Sequence, residues 1–124
     1  MKALSLKPEW AHQILCGEKN IEYRTWQTKH RGDLLICSSA NPKRKGMISG
    51  HALIVCTLSD IIYNEHDGIY EWHLTNFREI IPFPVKGKLN LYDVDDSLIK
   101  YLPSDMTDEE AENYYNKYFV PLMA

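Results

Sequence analysis

Three ionisable residues lie close together near position 20, in a spacing that suits a binding or catalytic site. They are Lys19, Glu22 and Arg24. A lysine can donate to a phosphate or carbonyl oxygen, or act as a base in a desolvated site. An arginine can grip a phosphate or carboxylate with two parallel hydrogen bonds, and a glutamate can hold that arginine. The pattern predicts contact with an anionic or carbonyl-bearing ligand, with Lys19 and Glu22 as candidate catalytic groups.

The same residues also fit a structural role. Glu22 and Arg24 are two apart on a predicted strand, so their side chains share one face, about 6.6 Å apart along the chain. An exposed ion pair of this kind contributes under ~1 kcal/mol. Ile21 and Tyr23 alternate with them and are expected to point to the core. Trp26 shares the Glu22 face, where it would either stack a base or cover the end of a barrel.

Two serines and a basic loop form a second group of candidate ligand-binding residues. Ser38 and Ser39 end a predicted strand, where hydroxyl groups can cap the backbone or bind a ligand. The loop at residues 41–46 contains three consecutive basic side chains, Lys43, Arg44 and Lys45. If the basic segment 29–31 adjoins this loop, the two make a rim that steers a phosphate backbone. The alternative is a solvated run of charge.

The spacing of apolar residues predicts the elements that position these groups. Pro8 opens a helix that Gly17 ends. Thr107 and Glu110 form a capping box for a late helix over residues 107–119. Alternating or apolar runs predict strands at residues 4–6, 21–26, 34–37, 51–58 and 72–81. One early helix, five or six short strands and one late helix predict a small α+β protein built around a curled sheet or barrel.

Length and composition are those of an ordinary globular protein. The 124 residues predict one domain over the whole chain, and 44% of them are hydrophobic and 25% charged. No apolar run approaches the ~18 residues of a membrane span, and the first residues lack the apolar stretch of a signal peptide. We therefore expect a cytoplasmic protein without a membrane partner. The net charge of −3 argues against a purely electrostatic nucleic-acid binder but is compatible with a local basic cleft.

The cysteines and the remaining motifs favour neither a metal nor a cofactor. Cys16, Cys37 and Cys56 are odd in number and widely spaced, which argues against a disulfide framework and a zinc site. Cys37 and Cys56 lie inside apolar runs, as small buried residues do. No Ser-His-Asp or Cys-His arrangement and no nucleotide-binding glycine motif stands out. The expectation is no metal and no cofactor.

Several motifs follow one another in a characteristic order. Residues 17–24 read Gly-x-Lys-x-x-Glu-x-Arg after the first helix, and residues 31–36 continue as Arg-Gly-Asp-Leu-Leu-Ile. Residues 70–74 read Tyr-Glu-Trp-His-Leu, and residues 82–88 read Pro-Phe-Pro-Val-Lys-Gly-Lys. Together they resemble the activating-signal-cointegrator homology (ASCH) domain over about residues 3–92, with the late helix as an extension.

The resemblance implies a PUA-like β-barrel with the first helix packed beside it and a cleft next to that helix. It implies RNA or a modified nucleoside or nucleotide as partner, with Lys19 facing the cleft. The leading hypothesis is therefore binding of such a ligand by a chain favoured to be a monomer. Some small bacterial ASCH proteins are N4-acetylcytidine amidohydrolases, and ribonuclease activity has been attributed to others. A hydrolase is thus the alternative, and whether the chain is an enzyme stays open.

The functional residues of the amidohydrolase branch can be compared with the matching positions of this sequence. Its threonine nucleophile corresponds to Glu22 here, which cannot act in the same way. Its downstream glutamate has Glu71 as a candidate by position only. Trp72 and His73 alternate, so they face opposite ways, and one of them is a candidate to line the cleft. A third function class is a protein-interaction adaptor that uses the acidic, tyrosine-rich late helix.

Overall fold

Six strands form one sheet in a computed structural model of the chain, which describes residues 1–123. In chain order they are β1 (Lys2–Leu6), β2 (Ile21–Arg24), β3 (Gly32–Ser38), β4 (His51–Asn64), β5 (Ile69–Pro84) and β6 (Leu91–Asp93). Their spatial order is β2-β5-β4-β3-β1-β6, with β1 parallel to β3 and the other neighbours antiparallel. The sheet curls into a half-barrel, so the predicted α+β class and PUA-like architecture are confirmed.

The hairpin of β4 and β5 is longer than the sequence predicted. The sequence predicts a strand over residues 51–58 that bends at Ser59 and Asp60. The structure has a register shift there, between Leu58 and Asp60, but the strand continues to Asn64. An irregularity of this kind bends a strand and increases its twist without ending it. Two further shifts along the same ladder curl the sheet. The register shift between Ala52 and Ile54 also lets β5 run on through its prolines.

Two helices flank the sheet, α1 (Pro8–Leu15) and α2 (Asp108–Tyr118). Pro8 suits the first turn of α1 because it has no N–H to leave unpaired. Gly17 follows α1 with a φ of 78°, a left-handed conformation that glycine adopts without strain. At the start of α2, Thr107 Oγ accepts a hydrogen bond from the backbone N–H of Glu110 at 3.2 Å, as its capping box predicts.

Apolar side chains cover both faces of the sheet. One face packs against α1 and Phe119, with Trp72 as its largest fully buried side chain. The other face is a smaller cluster around Ile80 and Tyr92. Because both faces are covered, consecutive residues of β3 are buried. Burial raises the pKa of Cys37 to about 11 and that of Cys56 to about 12, as expected of cysteines in a core.

Within residues 1–123, no helix has both the length and the apolar character needed to cross a bilayer. The same part of the chain contains no group of three or more His, Cys, Asp or Glu side chains placed to hold a metal ion.

Candidate functional site

A cleft of about 770 Å³ opens between α1 and β2. Helix α1 packs on the sheet through Ala11 and Ile14, which leaves Trp10 and Gln13 free to line the cleft. The end of β1 and the first residue after β3 close its other side. The lining residues are Ser5, Leu6, Lys7, Trp10, Gln13, Glu18, Lys19, Asn20, Ile21, Glu22, Tyr23, Arg24 and Ser39.

Lys19, Glu22 and Arg24 meet on the floor of this cleft. Lys19 Nζ lies 3.3 Å from Glu22 Oε1, and Arg24 Nη2 donates to Glu22 Oε2 at 2.9 Å. The Glu22 side chain is only 7% exposed, against 13% for Lys19 and 25% for Arg24. A buried carboxylate needs charged or hydrogen-bonded partners, and here two cations share one. The cluster therefore carries one net positive charge.

Arg24 is held on one side and unpaired on the other. Its Nη2 also donates to the backbone oxygen of Ser5 at 3.1 Å, which ties β2 to β1 across the cleft. Its Nε is buried and has no hydrogen-bond partner among the described residues. The guanidinium is thus fixed in place while part of its donor capacity stays unused.

Two exposed aromatic side chains stand beside the charged cluster. Trp10 is 43% exposed and Tyr23 is 50% exposed, so both rings present accessible apolar surface to the cleft. Lys19 Nζ lies 5.7 Å from the Trp10 ring centroid and 4.9 Å from that of Tyr23, so both rings contact the ammonium group. The cleft combines stacking surfaces with cationic donors.

The expectation that Ile21 and Tyr23 point to the core is wrong. Glu22 lies opposite Trp72 in the register with β5, so it shares the inner face with the core, whereas Tyr23 lies opposite Glu71 on the outer face. The prediction assumed that an apolar residue marks the core side of a strand. Here β2 is an edge strand beside the open cleft. Its inner face carries the polar residues of the cleft floor, and Tyr23 on its outer face lines the exposed edge of the same cleft.

Trp26 and Ser38, two predicted ligand-binding residues, lie outside the cleft lining. The ring centroids of Trp26 and Trp72 lie 4.9 Å apart in an edge-to-face arrangement. The Trp26 carbonyl also accepts a hydrogen bond from Trp72 Nε1 at 3.2 Å. Trp26 therefore covers the apolar core, the second of its two predicted roles. Ser38 is buried, and its hydroxyl bonds the backbone of His51. Ser39 does line the cleft, and its Oγ donates to the carbonyl of Asn41 at 2.7 Å.

The basic loop borders the cleft side of the molecule without lining the cleft. Arg44 Nε bonds Glu9 Oε2 on α1 at 3.0 Å, next to the cleft residue Trp10. Lys43 and Lys45 are exposed. The basic segment 29–31 precedes β3 while this loop follows it, so the two lie roughly 20 Å apart at opposite ends of the strand. They do not form one rim.

The downstream candidates also lie outside the cleft lining. Glu71 accepts a hydrogen bond from Asn64 Nδ2 at 3.3 Å, and its Oε1 is 3.6 Å from His73 Nε2. Trp72 is fully buried in the core. The cleft lining includes neither Trp72 nor His73. It does not include Glu71 either, so Glu71 does not take the place of the downstream glutamate of the amidohydrolase branch in this cleft.

Trp10 and Tyr23 are the site residues that sequence reasoning missed. Trp10, Ala11, Ile14 and Leu15 recur at helical spacing, which predicts one apolar stripe on the first helix and so conceals the different position of Trp10. The spacing of Trp10 and Gln13, three residues apart, was the available signal, since such a pair lies on one helix face. Tyr23 had no such signal because only the register with β5 shows which way it points.

Comparison with known proteins identifies the chain. The family model of the ASCH domain matches residues 4–119. The chain is similar to the crystal structure of ASCH from Zymomonas mobilis, with 14% identity and a TM-score of 0.58 over 77% of this chain and 88% of that one. A tyrosine-to-phenylalanine mutant of that protein gives 15% identity and a TM-score of 0.60, over 80% of this chain and 98% of that one. None of the curated proteins matches. The chain belongs to the ASCH domain family.

Proposed function

We propose that the cleft between α1 and β2 binds single-stranded RNA or a modified nucleotide. The observation that carries the proposal is the pairing of two exposed rings, Trp10 and Tyr23, with the cluster of Lys19, Glu22 and Arg24 in one concave site. Proteins that bind single strands combine these two features, because aromatic rings stack bases while cations contact phosphates.

The burial of the charged cluster also favours a binding role. Cations in a partly dehydrated cleft interact with an incoming anion or carbonyl more strongly than solvated ones. The cleft volume of about 770 Å³ accommodates a nucleotide, since small-molecule pockets span ~300–1,000 Å³. Because the chain as a whole is acidic, the affinity should come from this site and its rim, and no general electrostatic attraction is needed.

The test is fluorescence anisotropy with a fluorescein-labelled RNA dodecamer of mixed sequence. Tyr23→Ala and Trp10→Ala should each weaken binding by ~5-fold or more, because stacking one base contributes ~1–3 kcal/mol. Phe77→Ala is the matched control, since Phe77 is also an exposed ring, at 39%, but lies outside the cleft. Equal losses in the Phe77 variant, or no binding by the wild type, would refute the proposal.

A second candidate function is hydrolysis of a nucleoside amide such as N4-acetylcytidine. The observation that favours it is the distance of 3.3 Å between Lys19 Nζ and Glu22 Oε1, which places a proton donor beside a carboxylate in the cleft. Water would add to the amide carbonyl carbon and the C–N bond would break, releasing cytidine and acetate. Glu22 replaces the threonine nucleophile, so water activation is the role left for it.

Chromatography of N4-acetylcytidine after incubation with the protein tests this candidate. Lys19→Ala should abolish cytidine release, while Cys37→Ser, a change in the core, should only lower stability. Full turnover by Lys19→Ala would place any activity elsewhere. Incubation of the RNA dodecamer followed by gel electrophoresis tests the ribonuclease alternative in the same samples.

A further inference from the structure

Hydrogen-bond donors outnumber acceptors on the floor of the cleft. Both Glu22 oxygens are occupied, Oε1 by Lys19 and the backbone N–H of Tyr23, and Oε2 by Arg24. Within residues 1–123, Arg24 Nη1 donates no hydrogen bond and Arg24 Nε has no partner. The Lys19 ammonium carries three donors and faces one carboxylate oxygen. Arg24 Nε is buried beyond the reach of a ligand. The Lys19 ammonium and Arg24 Nη1 are therefore the groups that offer N–H donors to whatever enters the cleft.

We infer that a base enters the cleft with C4 of a pyrimidine or C6 of a purine toward Lys19 and Arg24. The cleft then selects an oxo group at that position, as in uracil and the 6-oxopurines, over an amino group, as in cytosine and adenine. This rests on the proposed function, which supplies the nucleotide. An oxo group accepts a charge-assisted hydrogen bond from Lys19 or Arg24. An amino group at that position sets donor against donor and leaves an N–H of a partly buried cation without an acceptor. That penalty discriminates between otherwise similar ligands.

Residues at the rim do not reverse this selection. Gln13 and Asn20 carry amides, which donate and accept equally well. Glu18 offers a carboxylate, but it is exposed, and a well-hydrated acceptor discriminates little because water replaces the lost partner. The selectivity is therefore assigned to the floor residues Lys19 and Arg24.

Two pairs of probes exchange the oxo group for an amino group at that position, together with the proton on the adjacent ring nitrogen, which is present in the oxo base and absent in the amino base. Fluorescein-labelled dodecamers of uridine and of cytidine have the same backbone charge and ring size, and IMP and AMP form the corresponding purine pair. We expect the uridine dodecamer, in anisotropy titrations, and IMP, in calorimetry, to bind at least ~10-fold more tightly, which is ~1.4 kcal/mol. Lys19→Gln should bring both affinity ratios, uridine to cytidine and IMP to AMP, closer to one. The glutamine amide supplies an acceptor for the amino group of cytosine or adenine. Arg78→Ala, outside the cleft, should keep them.

The outcomes separate this inference from the proposed function. Equal affinity within both pairs, or tighter binding of cytidine and AMP, overturns the oxo selectivity and leaves nucleotide binding intact. Failure of every RNA and nucleotide to bind overturns both. Ratios unchanged in Lys19→Gln overturn the assignment of the selectivity to Lys19.

Discussion

Two arginine–carboxylate pairs in this molecule share one distance and differ in everything around it. Arg24 Nη2 lies 2.9 Å from Glu22 on the cleft floor, and Arg78 Nη2 lies 2.9 Å from Asp33 on the outer surface of the sheet. The Glu22 side chain is 7% exposed and that of Asp33 is 52% exposed. The distance between two charges therefore says little about what the pair does.

The remaining donors of the two arginines show the same contrast. Arg78 Nε donates to the carbonyl of Asn76 at 3.1 Å, and its Nη2 also donates to Thr57 Oγ1 at 3.2 Å. Arg24 Nε has no partner within residues 1–123. Arg78 is held at Nε and Nη2 by groups around it on an exposed surface, as in a structural pair. Arg24 is held at Nη2 alone, and its Nη1 stays unused in a concave site, which is how a binding group is prepared for a ligand.

The largest expected difference between the pairs is in stability. Glu22→Ala leaves Lys19 and Arg24 as neighbouring cations without their shared carboxylate, and breaking a buried pair in this way is strongly destabilising. Because both cations keep some contact with water, we expect a loss of about 2–3 kcal/mol in the free energy of unfolding. Asp33→Ala should lose under ~1 kcal/mol.

Urea denaturation of the three proteins measures this difference. Protection of Cys37 and Cys56 from a thiol reagent at pH 8 checks that each variant is folded, since burial raises the pKa of these thiols to about 11 and about 12 and keeps them protonated. Equal losses for Glu22→Ala and Asp33→Ala would show that burial does not distinguish the two pairs.

The next difference concerns ligand affinity. Arg24→Ala removes a cationic donor from the cleft and leaves Glu22 less compensated, so that it repels an entering phosphate or oxo group. We expect binding of the RNA dodecamer to fall at least ~10-fold, or ~1.4 kcal/mol. Arg78→Ala, the matched control, should bind like the wild type in the same anisotropy titration. If the two variants bind equally, Arg24 is a structural residue.

A smaller effect is expected from neutralising the carboxylate and keeping its shape. Glu22→Gln retains one acceptor for Arg24 and adds an amide donor, so RNA affinity should fall less than in Arg24→Ala. Asp33→Asn makes the same change in the outer pair and should leave affinity unaltered. A loss larger than that of Arg24→Ala would mean that the negative charge of Glu22 itself takes part in binding.

The sequence was informative about the fold because its signals are local. Pro8, Gly17 and the capping box at Thr107 determine where the helices begin and end through the backbone groups beside them. The motif at residues 17–24 similarly puts Lys19, Glu22 and Arg24 within one short stretch. Local signals of this kind can be recognised without knowing what packs against them.

The parts of the site that the sequence did not predict depend on contacts between distant residues. Alternation along β2 predicts that the apolar ring of Tyr23 points to the core. Only the pairing with β5 shows that it faces outward. The sequence is compatible with base stacking by Trp26. Its contact with Trp72, 46 residues away along the chain, is what places Trp26 over the core. The extent of β4 beyond Leu58 likewise depends on a register shift against a partner strand.

The smallest expected effect concerns the basic loop beside the cleft. Exposed lysines that contact phosphates release counterions, and each contact to a single strand adds ~0.7 to the slope of log affinity against log salt. Lys43→Ala combined with Lys45→Ala should therefore lower that slope by at most ~1.4 in anisotropy titrations with the RNA dodecamer. Lys29→Ala combined with Lys100→Ala removes the same charge from exposed positions outside the cleft lining and serves as the control.

Arg44 sharpens this last prediction, because it lies between the two lysines but already bonds Glu9 on α1 at 3.0 Å. A cation engaged by a carboxylate releases fewer counterions when a phosphate approaches, so adding Arg44→Ala to the double variant should change the slope little. An unchanged slope in the double variant would remove the loop from the RNA-binding surface. A large further drop on removal of Arg44 would mean that RNA displaces Glu9, and that the loop separates from α1 when the cleft is occupied.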